Sequence, residues 1–424
     1  MDFWLSTIGQ RLDDADNTRT MLLAKFLLER GHKVTLWTSA FDHIRKEWRK
    51  EWLECGGSSY EMENGLVIRF MKGCGYQRNI SLKRFRDHIL AARDFRNRAV
   101  QLPKPDAVIA SLPDHFTAAA VVDFASQNSI PAIVDVRDKW PDVFVDYTPK
   151  FFRLLAKLLL SFESQRAYRA LSRADSLVAM MHSMLDWGVN KARRNATQND
   201  RVFFLSTMER TDERAEPITA LSPEHQQLLE AISGKTILSF VGTFNKTQHP
   251  ALVLDALDIL SKEPNFDPDS IAVVIGGDGQ DADAVRRRIG ELDFVHYVGW
   301  LKPHEMRAIL VRSDFGLLPM NFSSPAFNNK AFAYLACGLP ILNCASGDLA
   351  ELIEMEKVGI NVAPGDPAAM AKAIADCLHT EQDLGRLKSR VQAVYSRLFD
   401  QQHTYNSYVD HIQKIVAAYP SRLG

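Results

Sequence analysis

The feature that most constrains this chain is a regular alternation of short apolar runs with longer runs of helical period. Apolar runs too short to be helices, separated by amphipathic stretches, are the pattern of a parallel sheet covered by helices on both faces. In the first half the strand-like runs are 3–7, 33–39, 107–111, 132–136, 176–179 and 201–205. Thr18 is placed to cap a helix over 21–30 that Gly31 ends, and a second helix is expected over 118–127. The alternation restarts at 236–242 and continues through 271–275, 296–298, 315–318 and 341–343. Asp366 and Pro367 form a cap and first-turn pair for a helix reaching Leu378, and 402–418 reads as one more amphipathic helix.

A chain of 424 residues is too long for one core, so two domains are expected. The polar segment 206–223, which contains Pro217, is the expected hinge; it separates 1–205 from 224–395, and 396–424 is a terminal helix expected to return to the first domain. With 51 basic against 52 acidic residues the chain offers no overall charge for nucleic acid, and any anion must be bound locally. The five cysteines include no C-x-x-C pair, so neither disulfides nor structural zinc are expected. The segment beginning Phe3 reads as a strand rather than a leader, and no run approaches the ~20 apolar residues of a membrane span. The expectation is a cytoplasmic protein.

Two segments have an interfacial composition. Residues 81–104 carry Lys83, Arg84, Arg86, Arg93, Arg96 and Arg98 among Phe85, Ile89, Leu90 and Phe95; 150–168 carry a run of leucines and phenylalanines with Arg153 and Lys157. Apolar residues at helical spacing flanked by cations suit a helix lying on an anionic bilayer, and equally an amphipathic helix facing its own core.

The stretch 325–340 reads as a loop opening a short helix that Gly338 and Pro340 stop. A helix N-terminus presents unpaired N–H groups and the positive end of its dipole, and Lys330 adds a full charge beside them. The expectation is a phosphate site at a strand–loop–helix junction. Asp281 and Asp283 have the spacing of a metal-binding pair, but their position at a helix start favours capping and solvated charge; no metal is expected.

These residues together carry a resemblance. Segments 30–43, 75–84 and 135–142, the triplet Gly277-Asp278-Gly279 and the box 329–340 resemble family-4 retaining glycosyltransferases, and among them the enzymes of bacterial O-antigen, capsule and exopolysaccharide synthesis, including N-acetylfucosamine transferases. The resemblance implies a GT-B fold, two Rossmann-like domains facing a cleft. It implies metal-independent transfer, without a cofactor, of a hexosyl or N-acetylhexosaminyl unit from a nucleotide sugar, with UDP the expected nucleotide. The implied acceptor is a polyprenyl-diphosphate-linked saccharide at the anionic cytoplasmic face of the inner membrane.

Carried over residue by residue, the resemblance places the donor against Gly242, Lys246, Gly277, Asp278, Trp300, Leu301, Ser324, Asn328, Asn329, Gly347, Asp348 and Glu351. It puts Lys330 and His115 at the reacting centre and Gly9, Arg19, Arg137 and Asp138 on the acceptor side. For His115 a hydrogen bond from a loop to the backbone is the alternative, and for Arg137 a structural ion pair. The chain departs from the family at its most diagnostic positions: Ala333 and Pro325 stand where members usually have glutamates. A lost charge-assisted hydrogen bond costs about 1.5–3 kcal/mol, so a catalytically impaired member serving as a scaffold stays open, as does a UDP-sugar 2-epimerase.

Overall fold

The computed structural model describes every residue except 13–17, 58, 79–80, 147, 207–211, 213–215, 246, 280–281, 324–326, 328, 380 and 420–424. The chain divides into two compact units, Met1–Thr207 with Gln402–Gly424, and Met208–Gln401.

The strands of the first unit are β1 (Asp2–Ser6), β2 (Lys33–Ser39), β3 (Phe41–Asp42), β4 (Glu47–Trp48), β5 (Tyr60–Glu61), β6 (Val67–Met71), β7 (Ala107–Leu112), β8 (Ala132–Val136), β9 (Ser176–Ala179) and β10 (Arg201–Val202). Eight of them form a sheet in the order β10-β9-β8-β7-β1-β2-β6-β5; β5 alone is antiparallel to its neighbour, and β3 and β4 make a separate hairpin. Its helices are α1 (Arg19–Glu29), α2 (Lys50–Glu54), α3 (Leu82–Ala99), α4 (His115–Asn128), α5 (Asp142–Asp146), α6 (Arg153–Leu159), α7 (Ser161–Arg173) and α8 (His182–Lys191).

The strands read as unbroken apolar runs because both faces are buried. Alternate residues enter different cores: Trp4, Val108 and Val134 join the cluster under α3, α4 and α7, while Phe3, Leu5, Ile109 and Ile133 join the cluster under α1. Trp4 stacks on Phe124 with ring centroids 5.4 Å apart, and Phe95 stands edge-on to Trp37 at 4.9 Å. Thr18 caps α1 as its position suggests, accepting from the Met21 N–H at 3.4 Å.

The second unit contains α9 (Pro223–Ala231), β11 (Thr236–Val241), α10 (Ala251–Leu260), β12 (Ile271–Gly276), α11 (Ala282–Ile289), β13 (Val295–Tyr297), α12 (Pro303–Leu310), β14 (Phe315–Leu318), α13 (Asn329–Ala336), β15 (Ile341–Asn343), α14 (Asp348–Glu356), β16 (Gly359–Asn361), α15 (Pro367–Leu378) and α16 (Glu381–Leu398). Its six strands run parallel in the order β13-β12-β11-β14-β15-β16. The last helix, α17 (Gln401–Ala418), packs on the first unit, where Tyr405, Tyr408, Val409 and Ile412 are fully buried beside α1. Phe203 stacks on Tyr408 at 4.6 Å. In both sheets the order reverses at the strand that opens the unit, β1 and β11, which is where open α/β sheets hold ligands.

The structure departs from the sequence reading in several places. The run 201–205 is a strand only over Arg201–Val202, because Phe203 turns away to stack on Tyr408. β5 and β16 lie in segments without a strong apolar run, whereas β6 is an additional apolar run, Val67-Ile68-Arg69-Phe70-Met71, interrupted by Arg69. The two interfacial segments separate: α3 buries Ala91, Ala92, Phe95 and Ala99 and is a core helix, whereas no residue of α6 is buried.

Candidate functional site

In the second unit the turns following β11, β12 and β13 are stitched together at the switch point. The Gly242 N–H donates to the Gly276 carbonyl at 2.9 Å, the Phe244 N–H to the Asp278 carbonyl at 2.9 Å, and the Gly277 N–H to the Gly299 carbonyl at 2.7 Å. Gly277 has φ 137°, and a Cβ there would stand 1.8 Å from the Gly242 carbonyl oxygen, so only glycine lets these turns meet.

Lys330, in the first turn of α13, reaches across this glycine floor. A Cβ on Gly242 would lie 1.9 Å from its Cε. Its ammonium donates to Gln248 Oε1 and sits 5.3 Å from the centre of the Phe240 ring. Burial lowers the Lys330 pKa to about 8. A partly desolvated cation at the start of a helix, above turns with little side chain, is chemically suited to a phosphate oxygen. Gln248 and Phe240 belong to this arrangement although no motif marks them.

Other residues expected at the donor are scattered in character. Asp278 folds its Oδ1 back onto the Gly279 N–H at 2.7 Å. Trp300 is 69% exposed, and Leu301 instead packs towards Gly276. Asn329 opens α13 and is exposed. Gly347 precedes α14, whose first turn holds the buried Asp348 and the exposed Glu351. The turn before α14 is tied to the segment before α13 by Ser323 Oγ donating to Ser346 Oγ at 2.9 Å. Lys246, Ser324, Pro325 and Asn328 lie outside the described residues.

Ala333 follows Lys330 by three residues, on the same face of α13, and is buried. Tyr334 beside it is structural: its hydroxyl donates to the Leu317 carbonyl at 3.0 Å and accepts from the Val241 N–H at 3.3 Å.

In the first unit a cavity of about 360 Å³ opens at the switch point, bounded by Gly9, Phe41, Tyr76, Arg84, Asp114 and Arg137 among others. Gly9 faces His43, whose Cε1 would be 3.2 Å from an added Cβ. Arg84 is sandwiched by aromatic rings, 4.9 Å from the centre of Trp140 and 5.8 Å from that of Tyr76. Asp114 is buried in the wall with its Oδ1 3.4 Å from His88 Nδ1.

His115 is the first residue of α4 rather than a loop residue, and it is 2% exposed. Its N–H donates to the Pro113 carbonyl, but neither ring nitrogen has a hydrogen-bond partner. Burial lowers its pKa to about 4 against the pull of Asp114, so the ring is neutral at physiological pH. A buried imidazole with unused nitrogens can donate to, or accept from, a hydroxyl without carrying charge.

Arg19 and Arg137 converge on the fully buried Asp135: Arg19 Nε lies 3.0 Å and Arg137 Nε and Nη2 each 2.9 Å from Oδ2. Arg19 also donates to the Phe203 carbonyl at 2.6 Å and is 3% exposed, which corrects its expected acceptor-side place: it ties α1 to β8 and the end of the sheet. Arg137 makes the structural ion pair yet still lines the cavity. Asp138 does not line it and accepts from the Lys139 N–H at 2.7 Å.

Among the described residues no group of three or more His, Cys, Asp or Glu side chains is placed to hold a metal. Asp283 pairs with Arg286 at 2.6 Å, and Asp281 lies outside the described residues. No described helix is long and apolar enough to cross a membrane.

Residues 235–380 match the family model described as glycosyl transferases group 1. Spore coat protein SA of Bacillus subtilis is 28% identical over 166 residues, 37% of this chain and 43% of that protein, so the match spans less than half of the curated relative. Among solved structures, HepE of Anabaena in complex with UDP superposes over 97% of this chain and 99% of its own, with a TM-score of 0.63 and 13% identity. WaaG, a glycosyltransferase involved in lipopolysaccharide biosynthesis, superposes over 97% and 99% with a TM-score of 0.57 and 12% identity. Residues 235–380 are therefore similar to the glycosyl transferases group 1, and the chain as a whole has the GT-B fold.

Proposed function

We propose that this protein is a retaining, metal-independent glycosyltransferase that moves a hexosyl or N-acetylhexosaminyl unit from UDP to a polyprenyl-diphosphate-linked saccharide during cell-surface polysaccharide synthesis. The observation that carries this reading is Lys330, held over Gly242 at the opening of α13 in the second unit. In such a transfer the bond from the anomeric carbon to the diphosphate oxygen breaks, a bond to the acceptor oxygen forms, and the acceptor's proton leaves with the diphosphate. The charge accumulating on the departing diphosphate is met by the Lys330 ammonium and the positive end of the α13 dipole, without a metal cation. The UDP bound by the structurally similar HepE supports the choice of nucleotide.

The exposed apolar face of α6, flanked by Lys150, Arg153 and Lys157, supports peripheral attachment to an anionic membrane surface, where a lipid-linked acceptor resides.

Ala333 favours a second reading, an impaired member retained for binding, because α13 offers no carboxylate one turn from Lys330. Measuring UDP release from UDP-sugars with and without lipid-linked acceptor separates the readings. Release that depends on acceptor supports transfer; sugar isomerisation without acceptor points to an epimerase; UDP binding with neither reaction leaves a scaffold.

A further inference from the structure

The apolar surface of α6 continues beyond the helix. Phe151 is 90% exposed, Leu154 and Leu159 are each 72% exposed, and Phe162 at the start of α7 is half exposed. Monomeric soluble proteins rarely leave so much contiguous apolar side chain in water. Adjoining this surface is a cavity of about 560 Å³, walled by the end of α6, one face of α7, the start of α5 and the end of α8.

The cavity lining has a sign. Among the described lining residues, Lys157, Lys191 and Arg193 face Asp142 as the single carboxylate. Asp142 is already engaged: both its oxygens accept from Lys191 Nζ, at 2.7 and 2.9 Å, and Oδ2 also accepts from Trp187 Nε1 at 3.0 Å. Lys191 gives its remaining donor direction to Ser164 Oγ at 2.6 Å. That pair is a fixed neutral wall, and Lys157 and Arg193 supply the net positive charge. Arg193 is oriented by the Tyr168 ring, 5.1 Å from its guanidinium carbon. Two cations, with the hydroxyls of Ser161 and Tyr168 in the same lining, form a donor set for a tetrahedral anion.

We propose that this cavity binds the phosphate of an anionic lipid, while the α6 surface enters the acyl boundary beside it. The proposal rests on the membrane attachment inferred above and assigns it a specific headgroup site. Lipid is favoured over a soluble phosphate ester because the charged cavity and the bare apolar surface share α6, matching the two halves of one amphiphile.

Co-sedimentation with vesicles of phosphatidylcholine, alone or containing phosphatidylglycerol, tests the assignment in three proteins: the unaltered chain, Lys157→Gln with Arg193→Gln, and Lys150→Gln with Arg153→Gln. The last pair removes equal charge from the same region outside the cavity lining, and Lys157 and Arg193 are exposed, so the fold does not depend on their charge. The expected result is enrichment of the unaltered chain on phosphatidylglycerol vesicles, an affinity loss of about ten-fold or more for the cavity pair, and a clearly smaller loss for the control pair. Equal losses in the two pairs would overturn the cavity site and leave membrane attachment standing, as diffuse attraction. No preference for phosphatidylglycerol would overturn the anionic headgroup. A titration with inorganic phosphate alone distinguishes the source: binding of phosphate by a chain that ignores vesicles would overturn the lipid assignment together with the membrane reading. Absence of binding to both vesicles and phosphate would overturn both as well.

Discussion

Lys330 lies across Gly242 so closely that a single methyl group on that glycine would stand 1.9 Å from the lysine's Cε. The lysine is thereby held at the start of α13, over turns whose backbones meet only because Gly277 has no side chain. A helix opening, a desolvated ammonium and a glycine floor form one arrangement in the second unit.

Gly242→Ala forces the flexible end of Lys330 aside and places alanine at φ 147°. The expected stability cost is about 1–3 kcal/mol, with the protein still folded. UDP affinity should fall by about ten-fold or more, since the displaced cation no longer faces the phosphates. Urea unfolding and calorimetric titration read the two effects separately.

The pKa of Lys330, lowered to about 8 by burial, gives UDP binding a pH dependence. Raising the pH through that value removes the ammonium's proton and weakens binding of the anion. Affinity of the unaltered protein should therefore decline above about pH 8, while Lys330→Gln should show a flat and lower profile across the same range. Titrations at a series of pH values check both.

Ala333→Glu introduces a carboxylate on the Lys330 face of α13. If it reaches a ribose hydroxyl, UDP should bind about ten-fold more tightly or better, the equivalent of one charge-assisted hydrogen bond. Unchanged or weaker binding would show that the buried position at 333 does not serve the nucleotide.

Asp135 stabilises the first unit by compensating two guanidinium groups. Burial pushes its pKa up, but Arg19 and Arg137 outweigh that and hold it below the usual carboxylate range. Asp135→Asn strands Arg19 inside the protein and should cost about 3–5 kcal/mol. Arg137→Gln leaves Asp135 paired with Arg19 and should cost clearly less. Denaturant unfolding at neutral pH distinguishes them.

Acid stability reports on His115. Its pKa, about 4 when folded against 6.5 when free, means that the unfolded chain takes up a proton first as pH falls. Stability is therefore lost between about pH 6.5 and 4, by about 3 kcal/mol at most from this residue. His115→Gln should flatten the slope of unfolding free energy in that window.

The fold was largely legible because a parallel sheet buried on both faces writes itself as unbroken apolar runs, and β2, β8, β9, β14 and β15 lie where those runs lie. The edge strands β5 and β16 were not: they have two or three residues each and depend on a neighbour for their pairing, and β10 keeps only the first two residues of the run 201–205. At the sites, local chemistry marked Lys330 and Gly242 through a helix opening and a glycine turn. Gln248, Asp114 and Arg84 had no such mark, because their roles come from long-range packing. Arg19 was misassigned for the same reason: a cation after a β-strand loop looks available until the burial of Asp135 is known. The leucine run of 150–168 left core and interface open, and only the absence of any buried residue in α6 separates it from α3.

The central claim is that Lys330 at the opening of α13 binds the diphosphate of a uridine nucleotide. Calorimetric titration of UDP at neutral pH into the unaltered protein and into Lys330→Gln tests it most directly. The account predicts saturable binding by the first and affinity at least about ten-fold weaker for the second. Equal affinity in both, or no binding by the unaltered protein, would contradict it.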